Sequence, residues 1–341
     1  ELMRESGSNV DDLEFVESRL DRYSGWSDWR TNETDTDWQK QAFNPDAGTT
    51  NLTAINTDPF VMKINPSSGG LIWVKKFDSD VAGIASGDAI DFDSNGNIFI
   101  AGTFYNSLDA DPNSGIVTLT GSTSQLASYI IKLDTSGNLI WSNRINPRNT
   151  DPGYYAKIYD LKIDNMDNLY VCGQYRGEIA YTASAPNTYG ASSSNYEIGF
   201  VIKYSNDNTP LYLRTHGTIL ATIPPSYPSA NKISKLDIDL NNDVYLTGNY
   251  YGRMVINTNA SVSTNFTTTI SDGFIVKMDE GGTMINRKLF GGNNNVSISS
   301  ILAESANIYI GGVYEGSADL DPTSTVLTLN SNGAKDVFLN I

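Results

Sequence analysis

A strand-like motif that ends in lysine occurs four times in this chain and defines its repeat unit. The copies are Phe60-Val-Met-Lys-Ile-Asn, Tyr129-Ile-Ile-Lys-Leu-Asp, Phe200-Val-Ile-Lys-Tyr-Ser and Phe274-Ile-Val-Lys-Met-Asp. They lie about 70 residues apart, and a fifth copy begins at Val337. A unit that is too small to bury its own apolar face must be stacked on its neighbours. The chain is therefore predicted to be a repeat protein, with four full repeats and the start of a fifth.

A second recurring element lies between the lysine motifs and has the pattern of a β-hairpin. Alternating apolar residues form its first arm, Asp, Asn and Gly supply a tight turn, and a β-branched or aromatic arm follows. Each copy closes with a glycine, namely Gly102, Gly173, Gly248 or Gly311. Such a glycine is expected where a strand bends or a neighbouring backbone comes close.

The lysine motif forms another hairpin with the segment after it, so that each repeat contains four antiparallel strands. This pattern, without a helical period inside any repeat, favours a β-propeller over a β-solenoid. Trp73 and Trp141 are expected to act as wedges between blades, and truncation to Ala should cost about 3–5 kcal/mol if they are fully buried. An extra segment between the hairpins, best seen around Asp109 and Asp319, is predicted to be a short edge strand or an outer loop.

Residues 1–41 differ in kind from the repeats, which occupy 42–341. Ser8 and Asp11 resemble a capping box, and apolar residues follow at helical spacing, so a short helix is predicted at about 8–22. Three tryptophans then occur in polar sequence: Trp26, Trp29 and Trp38. We expect this segment to cap the propeller, or alternatively to dock it onto a partner through the tryptophans.

The composition argues against several classes of function. With 23 basic and 39 acidic residues the net charge is −16, which argues against nucleic acid and anionic membranes as partners. No apolar run is long enough for membrane insertion, and the first residues lack a signal-peptide pattern. A start at Glu1 and an end inside a recurring motif indicate a processed chain, an excised domain or part of a longer protein.

The repeat elements together resemble the SBBP-type β-propeller repeat. The similarity extends over about residues 42–341 and is most specific in 86–145, where every element is present. Such repeats occur in secreted and cell-surface proteins of bacteria and in structural proteins of tailed phages. The resemblance implies a propeller in an extracellular or virion setting, and it carries no catalytic residues to transfer.

Two kinds of loop could hold calcium. Asp91, Asp93 and Asn95 place oxygen ligands at alternate positions before a glycine, as in the first half of a calcium loop, although Gly102 stands where the closing acid is expected. Paired acids also occur before a proline, at Asp109 with Asp111 and at Asp319 with Asp321. In both cases the alternative is a purely structural turn, and no other cofactor is predicted.

The chain has few side chains of the types that commonly act as catalytic bases or nucleophiles. His216 and Cys172 are the only histidine and cysteine. Cys172 is predicted to be a buried small side chain, and His216 is predicted to have a structural or surface role. Loop tyrosines are candidates for binding a glycan or a protein: Tyr154, Tyr155, Tyr181, Tyr189, Tyr250 and Tyr251.

The expected function is a non-enzymatic structural or binding module at a cell or virion surface, as a phage-tail or virion component or as a secreted bacterial adhesion module. A propeller hydrolase or lyase acting on polysaccharide through paired carboxylates is the alternative.

Overall fold

The structure is a computed structural model that describes residues 4–5, 13–17, 40–42, 51–54, 57–148, 153–181, 188–190, 197–217, 230–256, 264–304, 307–321 and 327–340. The regular structure in these residues is β-strand. The first strands are β1 (Arg4–Glu5), β2 (Leu13–Glu17), β3 (Lys40–Ala42), β4 (Asn51–Thr53), β5 (Phe60–Ile64), β6 (Leu71–Lys76), β7 (Ala85–Phe92), β8 (Ile98–Phe104), β9 (Ser107–Asp109), β10 (Thr118–Thr120), β11 (Ala127–Leu133) and β12 (Leu139–Pro147). The later strands are β13 (Tyr155–Ile163), β14 (Leu169–Arg176), β15 (Glu178–Ala180), β16 (Thr188–Gly190), β17 (Glu197–Tyr204), β18 (Pro210–His216), β19 (Ala230–Ile238), β20 (Val244–Ile256), β21 (Thr264–Met278), β22 (Met284–Gly292), β23 (Val296–Ala303), β24 (Ile308–Tyr314), β25 (Ser317–Asp319), β26 (Thr328–Asn330) and β27 (Asp336–Asn340).

The fold is all-β and of the β-propeller type, as the repeats predict. Four four-stranded antiparallel blades follow one another along the described chain: blade 1 (β1-β2-β5-β6), blade 2 (β7-β8-β11-β12), blade 3 (β13-β14-β17-β18) and blade 4 (β19-β20-β21-β22). A three-stranded sheet, β23-β24-β27, comes last. The chain divides into two compact units, Glu1–Arg144 and Ile145–Ile341.

The N-terminal helix prediction is wrong where the structure can be compared with it. Leu13–Glu17 is a β-strand that pairs antiparallel with β5, from Leu13 opposite Ile64 to Glu17 opposite Phe60. An apolar residue at every third or fourth position fits a helix, but a short segment is also free to pair with an open sheet edge. The backbone hydrogen bonds of that edge need a partner, and this non-local requirement outweighs the local pattern. The rest of 8–22 lies outside the described residues, as do Trp26, Trp29 and Trp38.

The extra segment predicted between the two hairpins of a repeat is a short outer hairpin in three places, β9-β10, β15-β16 and β25-β26. In the second unit, β15 and β16 pair with each other, and β15 also pairs with Asn146 and Pro147 at the end of β12. β25 and β26 repeat the arrangement, with β25 on the end of β22. The hairpin thus covers a strand edge that would otherwise be open to pairing with another chain.

The recurring lysine closes an internal ion-pair element. In blade 3, Lys203 Nζ lies 3.3 Å from Asp164 Oδ2, and both side chains are buried. The same ammonium group lies over the ring of Tyr170, 4.8 Å from its centroid. Blade 2 repeats the element with a 2.9 Å pair between Lys132 and Asp93. In blade 4 the lysine pairs with a different residue of the turn, since Lys277 lies 2.7 Å from Asp243, four residues after the equivalent aspartate. The lysine therefore ties the second hairpin of a blade to the turn of the first.

The closing glycines mark a close backbone approach, which confirms the prediction from the sequence. A Cβ atom at Gly173 would lie 2.0 Å from the Lys157 carbonyl oxygen, and one at Gly248 would lie 1.8 Å from the carbonyl of Lys232. Opposite each glycine the first strand of the blade has a β-bulge, as between Ile158 and Asp160. In the last sheet Gly312, not Gly311, takes this position, because its Cβ would lie 2.1 Å from a backbone oxygen.

The two predicted wedge tryptophans are only partly buried, so the cost of truncation should fall below the range for a buried ring. Trp73 does bridge two blades of the first unit, since its Nε1 donates to the Thr135 carbonyl at 3.3 Å. The ring of Trp141 packs edge-on against Phe99 of its own blade, with centroids 5.8 Å apart.

We expect Gly173→Ala to lower the free energy of unfolding by about 1–3 kcal/mol, because the new methyl group must displace the Lys157 carbonyl. Chemical denaturation of the two proteins measures the difference. Gly281→Ala is the matched control, since the nearest atom to its Cβ is 3.3 Å away, and it should change stability by about 0.5 kcal/mol or less. Equal losses at both positions would contradict this account of the closing glycines.

Candidate functional site

An open cleft of 570 Å³ lies in the second unit, where turns of blades 3 and 4 meet. Four stretches of chain form it: the turn after β13, the strands β17 and β18, and the turn after β21. Its lining residues are Met166, Asn168, Lys203, Leu211, Tyr212, Arg214, Glu280 and Gly281. We call this feature the turn cleft.

The guanidinium group of Arg214 is fixed in the wall of the turn cleft. Its Nε donates to the Gly282 carbonyl at 2.9 Å, and one terminal nitrogen donates to Gly281 at the same distance. The group also stacks on the Tyr212 ring, 4.5 Å from its centroid. A planar cation held by backbone carbonyls loses little side-chain entropy on binding, which favours it as an anchor for an acceptor group.

The rim of the turn cleft is apolar and exposed. Met166 and Leu211 have relative exposures of 53% and 52%. Leu211 follows the first residue of the fourth strand of its blade, and the equivalent position is an exposed isoleucine in the other blades: Ile72, Ile140 and Ile285. The fold does not need apolar side chains there, because they do not enter the core. This recurrence is a sequence signal that could have pointed to Leu211, whereas Arg214 gives no such signal.

The acidic residues predicted as calcium ligands are placed in turns that they stabilise. Asp93 Oδ1 accepts the backbone N–H groups of Asn95 and Asn97, and Oδ2 accepts the Asn97 side chain at 2.9 Å. Burial alone would raise the pKa of Asp93, but hydrogen bonds from Asn97 and Lys132 hold it below the ordinary value. The buried Asp91 accepts the N–H of Phe92.

The two acid pairs before proline are built alike. Asp109 Oδ1 accepts the N–H groups of Asp111 and Val117, and Asp319 Oδ1 accepts those of Asp321 and Leu327. Each carboxylate therefore closes the loop of an outer hairpin. Among the described residues, no group of three or more His, Cys, Asp or Glu side chains is arranged to hold a metal ion. Calcium stays a prediction.

The predicted binding tyrosines occupy different environments. Tyr154, Tyr155 and Tyr181 are partly buried at strand ends and in loops, and Tyr251 is partly buried within β20. Tyr250 is buried, and its ring packs against Phe274 with centroids 6.4 Å apart. Tyr189 lies on β16, and its side chain is outside the described residues.

The single histidine and the single cysteine are both inside the second unit. His216 has no exposed surface, and neither ring nitrogen has a hydrogen-bond partner among the described residues. Burial lowers its pKa to about 3, so the imidazole is neutral. Cys172 is fully buried, and burial raises its thiol pKa. The burial predicted for Cys172 is confirmed, and His216 is buried as well rather than at the surface.

Comparisons with known proteins support a repeat propeller. The chain is 25% identical over 231 residues to an uncharacterized WD repeat-containing protein of Acanthamoeba polyphaga mimivirus. That match covers 60% of this chain and 15% of the viral protein. No protein-family model matches the chain. In the described part, no helix is long and apolar enough to cross a membrane.

We expect the stability of the protein to fall as the pH decreases from about 6.5 towards about 3, in part because of His216. In that window the unfolded state binds a proton on the imidazole while the folded state keeps it neutral, so the free energy of unfolding decreases by up to about 1.4 kcal/mol per pH unit. His216→Leu removes this contribution and leaves every other titrating group in place. Denaturation curves of the two proteins at several pH values should diverge below pH 6.5, and parallel curves would show that His216 does not titrate as described.

Proposed function

We propose that this chain is a non-enzymatic β-propeller module that binds a protein partner in a virion or cell-surface assembly. The observation that carries the proposal is the turn cleft, with its exposed apolar rim and its fixed arginine. Exposed apolar side chains beside such an arginine are typical of interaction sites. A partner that binds there buries the apolar side chains and forms hydrogen bonds with the arginine at the same time.

The turn cleft favours a partner segment with an apolar side chain beside an acceptor group. Met166 and Leu211 offer apolar surface. Three N–H groups of Arg214 donate to the Gly282, Leu213 and Gly281 carbonyls, and the other two are left for a carboxylate or a carbonyl of the partner. Aromatic residues and arginine are enriched at the centres of protein interfaces, and Tyr212 lies directly under the guanidinium group.

The setting at a virion or cell surface rests on two likenesses. The relative encoded by a giant virus supports a viral context, and the motifs of the SBBP type favour an extracellular or virion location. Within that setting, Trp26, Trp29 and Trp38 are candidates for a second contact with the assembly. The partly buried Tyr154, Tyr155 and Tyr251 are candidates for a contact with a cell-surface glycan.

The absence of catalysis is part of the proposal, and two placements support it. The chain has one histidine and one cysteine, and both side chains are buried away from any surface cleft. Acid–base or nucleophilic chemistry would therefore have to use carboxylates, as in polysaccharide hydrolysis. Turnover of any polysaccharide in a glycan panel, abolished by a single Asp→Asn or Glu→Gln substitution, would contradict the non-enzymatic assignment.

We expect a photo-crosslinking residue in place of Leu211 to form an adduct with one protein of the native assembly. The side chain is half-exposed on the cleft rim, so the replacement should leave folding intact. A crosslinker in place of Leu302, a 48% exposed leucine on β23 outside the cleft, is the matched control. Mass spectrometry of adducts from intact cells or particles is the measurement.

The proposal holds if the adduct at position 211 is specific and falls about tenfold when Met166→Asp is added, since a carboxylate on the rim costs apolar burial. Identical adducts at 211 and 302, or none at 211 in an assembly that contains the chain, would overturn it.

A further inference from the structure

The first strands of blades 3 and 4 carry a concentration of positive charge in an otherwise acidic chain. β13 and β19 contact each other within the second unit and together hold four lysines. Two of these are neutralised across the interface between the blades. Lys162 lies 3.7 Å from Asp237, and Lys235 lies 3.6 Å from Asp160. The other two are Lys157 and Lys232.

Lys157 and Lys232 share one aromatic ring instead of a carboxylate. Their ammonium nitrogens lie 5.1 and 4.1 Å from the ring centroid of Tyr159. Neither lysine forms an ion pair with any described residue. Two ammonium groups that lie over the same ring repel each other, and partial burial strengthens the repulsion because less water screens it.

The position of Tyr159 is set by a β-bulge and by hydrogen bonds. The bulge between Ile158 and Asp160 takes Tyr159 out of the pairing ladder. Its hydroxyl donates to Gln174 Oε1 at 3.2 Å, and Gln174 Nε2 donates to Glu197 at 3.0 Å. Bulges commonly re-aim a side chain next to a functional site. The ring is thus held in one orientation beside the two ammonium groups.

The fold itself does not require this lysine pair. Lys157 and Lys232 each precede the residue that pairs with the closing glycine of their blade. Serines take the equivalent place in blade 2 and in the last sheet, at Ser86 and Ser297. The bulge position held by Tyr159 is likewise Asp88 in blade 2. Blades 3 and 4 therefore have a feature that the shared architecture does not account for.

We infer that Lys157, Lys232 and Tyr159 form a binding site for a small oxyanion, a phosphate or carboxylate group carried by a ligand. An anion between the ammonium groups removes their mutual repulsion and supplies the missing counter-charge. The fixed ring presents an apolar surface to the part of the ligand that carries the anionic group.

The electrostatic setting of Lys232 agrees with this assignment. Its pKa is lowered, first by burial and then by the nearby charge of Lys157. Without an anion beside them, the two lysines are less readily protonated at the same time, and a bound anion favours the state in which both are charged.

The test is calorimetric titration of the full chain with inorganic phosphate and, separately, with succinate, at constant ionic strength set with chloride. We expect binding of at least one anion at one site per chain. Lys232→Met and Lys157→Met should each weaken it by about tenfold or more, because one of two charge-assisted contacts is lost. Lys232→Arg should retain binding, and Lys335→Met, on a 63% exposed lysine side chain, should leave it unchanged.

The two anions separate the sources of the ligand. Tighter binding of phosphate assigns a phosphate-bearing ligand, and tighter binding of succinate assigns a carboxylate. As a second readout, Lys232→Met should raise the melting temperature in chloride alone, since the like-charge repulsion is removed, and should abolish any stabilisation by the anion. The inference is overturned if neither anion binds, if Lys335→Met weakens binding as much as Lys232→Met, or if Lys232→Met melts lower than the wild type in chloride.

Discussion

The blade depends on a carboxylate that has to be buried and neutralised at once. The aspartate at the first hairpin turn accepts backbone N–H groups that would otherwise lack partners, as Asp164 does for Met166 and Asn168. A buried carboxylate is costly unless it is paired. The recurring lysine supplies the pairing from the next hairpin along the chain, and the aromatic ring beneath it keeps the ammonium group in place. One constraint thus explains why lysine, aspartate and an aromatic residue recur together.

Features that depend on local chemistry could be predicted from the sequence. The four-stranded repeat, the Asp/Asn/Gly turns and the closing glycines follow from strand alternation and from the few residues that tolerate tight turns or close backbones. The strand at Leu13–Glu17, where a helix was predicted, could not be predicted in this way, because its pairing with β5 depends on a sheet edge some fifty residues away. The turn cleft was missed for the same reason, since its walls come from four separate segments. Calcium binding by the acidic turns remains a prediction.

The two proposed binding regions are built differently from the same repeat. The rim of the turn cleft includes Leu211, which stands at a position where every blade has an exposed apolar residue. A partner can bury this side chain without any change in the core of the blade. The oxyanion site uses residues that differ between blades, with lysines where Ser86 and Ser297 stand elsewhere. The shared positions build the scaffold, and the proposed oxyanion site lies at positions that diverge between blades.

A double-mutant cycle on Lys203 and Asp164 tests the central claim most directly. The single variants Lys203→Met and Asp164→Asn and the double variant are compared with the wild type by chemical denaturation. The account predicts a coupling of about 1–3 kcal/mol, with Lys203→Met alone costing about 3–5 kcal/mol because the carboxylate is left buried and unpaired. The same cycle on Lys277 and Asp243, whose side chains are 28% and 21% exposed, should give a smaller coupling. Additive effects at Lys203 and Asp164, or equal couplings in both blades, would contradict it.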